Sequence, residues 1–293
     1  MKNICKNHNV PTAKYSFFDN EKKALDFLDT VDFPTVIKAD GLAAGKGVII
    51  AKNKNEAVET IKNIMSKRIF GTSGENIIIE EFLEGEEISF FALVDANGFI
   101  LPLTTAQDHK KIGEGDTGLN TGGMGAYSPV PFIKQNQIND FVIKFVKPVI
   151  KDLKHNNIFF SGIFYAGLIL TKYGPKLLEI NVRFGDPEAQ AVLPRLKADL
   201  LDLLLASSKG RLDQLKSPEW DNNFCINVVM ASKGYPESYK KNTIIGGLNK
   251  TTVNKSQYIF HSSTRKNEDH WLATGGRVLS ISALGSTLKE ARN

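Results

Sequence analysis

Residues 178–188, with the sequence LEINVRFGDPE, constrain the fold of this chain more than any other segment. The polar residues Glu179, Asn181 and Arg183 alternate with apolar ones, and successive side chains of a β-strand point to opposite faces. The segment therefore predicts a strand with a carboxylate, a carboxamide and a guanidinium on one face. Carboxylate and carboxamide oxygens suit Mg²⁺, and a guanidinium suits a phosphate or a carboxylate. An edge strand whose polar face is only hydrated would show the same alternation.

The end of this segment predicts a change from strand to helix. Phe184 and Gly185 interrupt the alternation, and Asp186 and Pro187 follow them. Asp is a frequent helix N-cap, and proline is favoured at the first helical position. We therefore expect Asp186 to cap a helix over residues 188–196.

A glycine-rich segment over residues 39–47 lies between two predicted strands, 34–38 and 48–51. Glycines allow backbone N–H groups to approach phosphate oxygens closely. The segment is not a Walker A motif, because its glycine spacing is shorter, no Ser or Thr follows the lysine, and a strand comes next. We expect a mobile hairpin lid over a triphosphate, with Lys38 and Lys46 as its cations. An ordinary hairpin turn that contains a lysine is the alternative.

The composition is that of an ordinary globular protein. The chain has 293 residues, 42% of them hydrophobic and 24% charged, which is enough for a large core and more than one lobe. Its net charge of +5 suits an anionic small substrate, and no basic stripe with interleaved aromatic residues indicates nucleic-acid binding. The apolar run 162–170 is too short to span a membrane. Two cysteines without metal-ligand spacing, and no signal-peptide pattern, favour a reduced, cytoplasmic protein.

Hydrophobic periodicity predicts the other elements. Residues 104–128 are polar and glycine-rich, which predicts a long functional or disordered loop. After Pro218 short predicted strands predominate, which indicates a β-rich domain. Helices are predicted over 3–9, 21–29, 55–67, 135–155 and 200–208, and strands over 77–83, 88–94, 99–103, 162–171, 176–183, 225–231, 257–262 and 276–283.

Two further groups of residues have a possible role in binding. The end of the strand 77–83 could bond an adenine edge through its backbone while Glu87 bonds ribose hydroxyls, although solvated carboxylates would look the same. His109 and the lysines after it could bind a phosphate or a carboxylate, or could be ordinary surface residues. No Ser-His-Asp or Cys-His arrangement is evident in the sequence. The expected mode of catalysis is therefore positioning and charge neutralisation of a transferring phosphoryl group.

In combination, these segments resemble the ATP-grasp superfamily and, within it, the phosphoribosylamine–glycine ligases. Their order and spacing match that family over nearly the whole chain, and the combination is far more specific than any one segment. The segments that carry the resemblance are 37–48 (IKADGLAAGKGV), 80–87 (EEFLEGEE), 107–110 (QDHK), 120–129 (NTGGMGAYSP), 179–188 (EINVRFGDPE) and 274–279 (TGGRVL).

The resemblance implies an α+β chain with the ATP-grasp fold, in which two α+β lobes grip ATP, followed by a small β-rich C-terminal domain. Relatives carry an N-terminal α/β domain before the matched part and a further strand and helix region after it, so we expect this chain to lack both. The expected division is a linker or helix remnant over 1–15, a small lobe or lid over 16–84, a large lobe over 85–217 and an incomplete C-terminal domain over 218–293.

The resemblance also implies the reaction of a carbon–nitrogen ligase in purine biosynthesis. ATP phosphorylates the carboxylate of glycine, and the amine of 5-phosphoribosylamine attacks the acyl phosphate to give glycinamide ribonucleotide, ADP and phosphate. The implied small molecules are therefore glycine, 5-phosphoribosylamine, ATP and Mg²⁺ or Mn²⁺, and neither a nucleic acid nor a membrane is an expected partner.

The matched segments carry the family's roles residue by residue. Lys46 and Arg183 are implied to be catalytic, and Glu179 and Asn181 to hold the metal. The residues implied to contact ATP are Lys38, Lys46, Glu80, Glu81, Leu83 and Glu87. The residues implied to receive glycine, the acyl phosphate and the ribose phosphate are Asp108, His109, Lys110, Asp116, Thr117, Asn120, Thr121, Gly122, Gly123, Arg183 and Asp186.

Two other readings stand beside the complete ligase. The chain could be an ATP- and Mg²⁺-binding fragment that is inactive without a separately encoded N-terminal domain, or another ATP-grasp carboxylate–amine ligase. Leu119 stands where relatives usually have proline, which is expected to loosen the loop around it.

Overall fold

The computed structural model describes residues 1–41, 43, 47–248, 251–268 and 270–293. The helices in these residues are α1 Lys2–Asn7, α2 Glu21–Phe27, α3 Lys54–Ile61, α4 Gln135–Phe141, α5 Lys147–His155, α6 Ala189–Val192, α7 Leu200–Ser208 and α8 Leu288–Arg292. The strands are β1 Tyr15–Phe18, β2 Thr35–Ala39, β3 Val48–Ala51, β4 Ile77–Glu81, β5 Glu86–Val94, β6 Ile100–Asp108, β7 Lys111–Gly113, β8 Thr117–Asn120, β9 Gly125–Ser128, β10 Gly162–Thr171, β11 Gly174–Asn181, β12 Phe224–Ala231, β13 Thr243–Ile245, β14 Gln257–His261, β15 Thr264–Asn267, β16 His270–Ala273 and β17 Arg277–Gly285.

The chain forms two compact units. The small unit comprises residues 11–86 and 169–178, and the large unit comprises 1–10, 87–168 and 179–293. The C-terminal residues 218–293 therefore belong to the same unit as 87–168, and a separate domain over 218–293 stays a prediction. None of the helices in the part of the chain that the structure describes is long and apolar enough to cross a membrane.

The small unit is an antiparallel sheet covered by helices. Its strands lie in the order β1-β4-β2-β3, and α2 and α3 supply the apolar side chains that cover them. Asn20 and Asn53 begin the two helices, because each side chain accepts a hydrogen bond from a backbone N–H in the first helical turn. The core consists mainly of isoleucines of strands and helices, among them Ile37, Ile61 and Ile77.

The large unit is built on a sheet of eight strands, in the order β11-β10-β5-β6-β9-β12-β17-β14. Its neighbouring strands β10 and β5, the second and third in this order, are almost continuously buried, as their long apolar runs predict. Phe91 of β5, Leu103 of β6 and Tyr165 of β10 pack with Leu203 and Leu212. The predicted strand 162–171 and the predicted helix 200–208 coincide with β10 and α7.

The loop predicted over residues 104–128 is wrong. β6 continues to Asp108, β7 and β8 form a hairpin, and β9 occupies the end of the stretch. β9 is paired on both edges, with β6 and with β12, where Cys225 lies opposite Ser128. The strand that stabilises β9 is distant in the sequence, so the local polar and glycine-rich composition did not reveal it.

Candidate functional site

A polar cluster lies on one face of the large-unit sheet, across the neighbouring strands β11, β10, β5 and β6. Ser89 on β5 lies opposite Ala106 on β6. Glu87 and Asp108 are each two residues from this pair and therefore share its face. We call Glu87, Asp108, Lys110 and Glu179 the polar cluster, and all of them were predicted from the sequence.

Glu179 reaches this face because its neighbour on β10 is a glycine. A Cβ on Gly167 would lie 2.8 Å from Cγ of Glu179 and 3.4 Å from the ring of Tyr165. The Tyr165 hydroxyl in turn lies 3.0 Å from Oγ of Ser89. Gly167 therefore leaves the space that the Glu179 side chain fills.

Lys110 is the cation of the polar cluster. Its Nζ lies 2.8 Å from Oε2 of Glu87. Burial lowers the pKa of Lys110. The negative charges of Asp108, Glu87 and Glu179 raise it by a larger amount, so the pKa lies above its ordinary value. The ammonium is therefore fully protonated at neutral pH and can neutralise an anionic ligand.

The pKa of Asp108 is also raised, but here burial is the main cause. Burial raises its pKa, Lys110 lowers it, and the charges of Glu87 and Glu179 raise it, with a net pKa above the ordinary value. A carboxylate of this kind accepts a proton more readily than a solvated one.

A buried hydrogen-bonded chain lies beside the cluster and was missed by the sequence analysis. Ser89 donates to Oε1 of Glu188 over 2.8 Å, and Glu188 is 3% exposed. Burial, followed by the charge of Asp108, raises the pKa of Glu188. Burial likewise raises the pKa of Tyr165, and the charges of Glu188 and Asp108 add to the effect. Glu188 lies in the segment 179–188 that carries the family resemblance, which is the available signal for it, whereas Ser89 and Tyr165 lie inside strongly apolar strands.

Glu179 and Asn181 point to the same side of β11, as the alternating pattern predicts. The Asn181 carboxamide donates to Oε1 of Glu179 over 3.3 Å, so its own oxygen is directed elsewhere. The described residues contain no group of three or more His, Cys, Asp or Glu side chains that could hold a metal. Two oxygen donors fit a Mg²⁺ ion that is bound by one or two protein side chains and otherwise by phosphate oxygens and water.

Arg183 and Asp186 do not take the predicted positions. β11 ends at Asn181, so Arg183 lies beyond the strand, and its guanidinium donates to the carbonyl of Phe184 over 2.8 Å. The predicted helix over 188–196 is confirmed in outline: α6 covers Ala189–Val192 with Glu188 as its N-cap, and a 3-10 turn follows over Leu193–Arg195. The prediction that Asp186 caps this helix is wrong, since its carboxylate accepts instead from the side chains of Gln190 and Arg277.

The small unit holds most of the predicted ATP contacts. In the antiparallel register Lys38 of β2 lies opposite Ile78, diagonal to Glu80 of β4. Its Nζ lies 3.0 Å from Oε2 of Glu80, whose side chain is 2% exposed. The strands predicted on both sides of the glycine-rich segment are confirmed as β2 and β3. Lys46, predicted to be catalytic, lies outside the described residues.

Glu81 and Leu83 follow at the end of β4. Oε1 of Glu81 accepts from the Lys176 ammonium over 2.8 Å and from the backbone N–H of Lys14 over 2.9 Å. Burial raises the pKa of Glu81, but these two bonds and the lysine charges lower it, and the net pKa lies below the ordinary value. Leu83 lies just beyond the strand and is half-buried. The charge of Glu81 is therefore already paired within the small unit.

The predicted substrate residues over 109–123 divide into two groups. His109, Asp116, Thr117 and Asn120 are exposed, and the last three lie in the β7–β8 hairpin or its turn.

Thr121, Gly122 and Gly123 are held tightly. Oγ1 of Thr121 donates to the Lys110 carbonyl over 2.8 Å and accepts from the N–H of Gly123 over 3.0 Å. Arg277, which the sequence analysis assigned no role, connects Gly122 to Asp186 by donating to both carbonyls over 2.7 Å. The structure therefore brings these three residues to Asp186 and ties them to the backbone of the polar cluster.

Comparison with protein families finds two matches along the chain. Residues 1–189 match the family described as phosphoribosylglycinamide synthetase, ATP-grasp (A) domain. Residues 225–293 match the family described as phosphoribosylglycinamide synthetase, C domain. The two matched ranges contain every residue of the polar cluster as well as Arg277.

Individual proteins are similar over the whole chain. The chloroplastic phosphoribosylamine–glycine ligase of Arabidopsis thaliana is 48% identical over 100% of this chain, which spans 55% of that relative. The phosphoribosylamine–glycine ligase of Caldanaerobacter subterraneus is 46% identical over 99% of this chain, which spans 69% of that relative. The crystal structure of the phosphoribosylamine–glycine ligase of Thermotoga maritima is similar with a TM-score of 0.86 at 31% identity, over 99% of this chain and 71% of that one.

Proposed function

Because the chain belongs to the phosphoribosylglycinamide synthetase family, we propose that it is a carbon–nitrogen ligase that joins glycine to 5-phosphoribosylamine. In the first step a carboxylate oxygen of glycine attacks the γ-phosphorus of ATP, which gives glycyl phosphate and ADP. In the second step the amine nitrogen attacks the glycyl carbonyl, the C–O bond to phosphate breaks, and the nitrogen loses a proton. The products are glycinamide ribonucleotide, ADP and phosphate.

The observation that carries this proposal is the polar cluster beside Asn181. Phosphoryl transfer is catalysed mainly by positioning and by neutralising charge on the transferred group. The protonated Lys110 supplies one positive charge. Glu179 and Asn181 would hold Mg²⁺ or Mn²⁺, which when bound supplies further positive charge to the phosphates. Lys38 and Lys46 are proposed to contact ATP phosphates, and Glu80, Glu81, Leu83 and Glu87 to frame the adenosine.

The second step needs a group that takes a proton from the attacking nitrogen. Asp108 is suited to this role, because burial raises its pKa above the ordinary value and makes the carboxylate a stronger base. Asp186 and the 121–123 segment, which Arg277 holds beside each other, are proposed to receive the amine substrate and the acyl phosphate. His109, Asp116, Thr117, Asn120 and Arg183 are proposed to contribute to the same substrate site.

The purified chain with ATP, Mg²⁺, glycine and 5-phosphoribosylamine tests the proposal. We expect ADP release that depends on both glycine and the amine, with glycinamide ribonucleotide identified by mass. Glu179→Gln removes a carboxylate ligand, so the Mg²⁺ concentration for half-maximal rate should rise about 10- to 100-fold. The matched control is Asp140→Asn, an exposed carboxylate on α4 that should leave the rate unchanged. A Glu179→Gln variant with an unaltered Mg²⁺ dependence would show that the metal site is misassigned.

The chain spans 55% of the Arabidopsis relative and 69% of the Caldanaerobacter relative. A second reaction contains, in addition, a purified N-terminal segment of the Caldanaerobacter relative. Product formed only in its presence would support the alternative that a separately supplied N-terminal domain completes the site. ADP release with a carboxylate other than glycine would favour a different carboxylate–amine ligase. Cell fractionation would test the proposed cytoplasmic location.

A further inference from the structure

Gly122 is held from both sides by residues of the C-terminal part of the chain. Its N–H donates to the Tyr235 hydroxyl over 2.9 Å. Its carbonyl accepts from Nη1 of Arg277 over 2.7 Å. The same nitrogen donates to the Asp186 carbonyl over 2.7 Å and lies 3.3 Å from the Asp186 carboxylate. We call Gly122, Asp186, Tyr235 and Arg277 the Gly122 brace.

The glycines of this segment allow such close contact. A Cβ on Gly122 would lie 3.0 Å from the guanidinium carbon of Arg277, which is closer than an ordinary contact, so the guanidinium would have to shift by a few tenths of an ångström. Gly123 has a φ of +107°, and a Cβ there would lie 2.3 Å from Cδ of Pro187. The backbone of this segment therefore lies directly against the guanidinium and against the turn that carries Asp186.

The two side chains of the brace are themselves fixed. Ser232, which begins the turn to Tyr235, donates its N–H to the Gly276 carbonyl and its hydroxyl to the Gly275 carbonyl, each over 2.8 Å. A Cβ on Gly276 would lie 2.3 Å from the Tyr235 ring, so the ring packs directly on the backbone beside Arg277. Arg277 is 23% exposed and opens strand β17. The brace is therefore hydrogen-bonded and closely packed on the C-terminal side.

The brace reaches the polar cluster through one further residue. Thr121, next to Gly122, donates its hydroxyl to the Lys110 carbonyl over 2.8 Å, and its own N–H donates to the same carbonyl over 2.7 Å. The Lys110 ammonium in turn lies 2.8 Å from Glu87. A shift of the Gly122 backbone would therefore also move the backbone of Lys110, the cation of the polar cluster.

We propose that Arg277 and Tyr235 are positioning residues of the ligase reaction, which hold the 121–123 segment and Asp186 in the arrangement that receives the amine substrate. This inference rests on the proposed function for its catalytic part. The mechanical part, that these side chains hold Gly122, stands without it. Loss of the brace should raise the KM for 5-phosphoribosylamine and lower kcat, because the 121–123 segment and Lys110 move. The KM for ATP should rise less than the KM for the amine, because Glu80, Glu81 and Leu83, three of the four residues proposed to frame the adenosine, belong to the small unit and not to the brace.

The test uses Arg277→Met, Arg277→Lys and Tyr235→Phe in the complete chain. An ammonium can donate to several oxygens at once, so Arg277→Lys should retain most of the activity, whereas Arg277→Met should lose about tenfold or more in kcat/KM for the amine. Tyr235→Phe removes the acceptor of the Gly122 N–H, and hydrogen exchange of that amide should become about fivefold faster or more. Arg265→Met is the matched control, since Arg265 is an exposed C-terminal arginine that bonds Asn242 over 3.2 Å.

Three separate results would overturn the inference. Unchanged exchange at Gly122 in Tyr235→Phe and Arg277→Met would show that the side chains do not hold the segment. Faster exchange together with an unchanged KM and kcat for the amine would show that the brace has no positioning role. If the unaltered chain forms no product in either reaction mixture, the proposed function fails, and the exchange measurement still decides whether the brace exists. A loss that appears equally in the KM for ATP would indicate general damage and would also contradict the proposal.

Discussion

Replacing Gly185 with alanine should break the buried hydrogen bond between Ser89 and Glu188. A Cβ at this position would lie 2.2 Å from one carboxylate oxygen of Glu188 and 2.3 Å from its carboxyl carbon. Glu188 is 3% exposed and Ser89 is 1% exposed, so the carboxylate cannot move into open solvent. The alanine methyl group and the carboxylate therefore compete for the same space.

The magnitude follows from the two interactions involved. Loss of a hydrogen bond to a charged acceptor costs about 1.5–3 kcal/mol, and an extra methyl group in a packed interior costs about 1–3 kcal/mol. We expect the free energy of unfolding of the large unit to fall by about 2.5–6 kcal/mol. Urea unfolding followed by tryptophan fluorescence reports on this unit, because both tryptophans of the chain, Trp220 and Trp271, lie in it.

Gly246→Ala is the matched control for this substitution. A Cβ on Gly246 would meet no atom within 4 Å, and its φ lies outside the left-handed region, so its unfolding curve should coincide with that of the unaltered chain. A loss below about 0.5 kcal/mol in Gly185→Ala, the range typical of neutral surface substitutions, would refute the placement of the Glu188 carboxylate beside Gly185.

Two further substitutions test the charges of the two units. Burial raises the pKa of Glu188 above its unfolded value, so ionised Glu188 lowers stability, and this penalty disappears as the pH falls through the raised pKa. Glu188→Gln should therefore be more stable than the unaltered chain at about pH 8, with the difference shrinking towards about pH 5 in urea unfolding. Lys38→Met removes the cation 3.0 Å from the buried Glu80 carboxylate, and loss of a hydrogen bond between charged groups should destabilise the small unit by about 1.5–3 kcal/mol. Hydrogen exchange of the small-unit strand amides measures this loss, and an equal loss in Lys38→Arg would contradict the ion-pair explanation.

The sequence predicted the elements whose signal is local. The continuous apolar run of β10 and the apolar face of α7 indicate their type and their bounds, because burial on the sheet requires those side chains whatever the partner. The alternation in β11 likewise placed Glu179 and Asn181 on one face. These predictions needed only the period of the side chains.

The wrong predictions concern residues whose conformation is decided by distant partners. β9 is a strand because β6 and β12 pair with it, although its own residues include two of the small or polar type common in loops. Arg183 continues the alternation of β11, yet the strand has ended before it. Asp186 suits a helix N-cap by type, but its side chain is drawn to Arg277, which lies 91 residues away.

The sequence alone did not indicate a functional role for Ser89, Tyr165 or Arg277. Ser89 and Tyr165 lie within apolar strands, where a hydroxyl is easily taken for a satisfied core residue. Their importance follows from the buried Glu188, which contacts Ser89 across 99 residues of sequence. Arg277 lies in a segment that carries the family resemblance, so that segment was the available signal, although it suggested no partner for the side chain.

Strand β9 also determines where this chain can be recombined with a relative. It pairs with β12 at four positions but with β6 at only two, Gln107 with Tyr127 and Asp108 with Ala126. A chimera that replaced residues 218–293 alone would cut through the stronger of these two ladders and exchange Tyr235 and Arg277 without their backbone partners. Residues 121–128 must therefore be transferred together with the C-terminal strands, although the two segments are encoded by separate stretches of the gene.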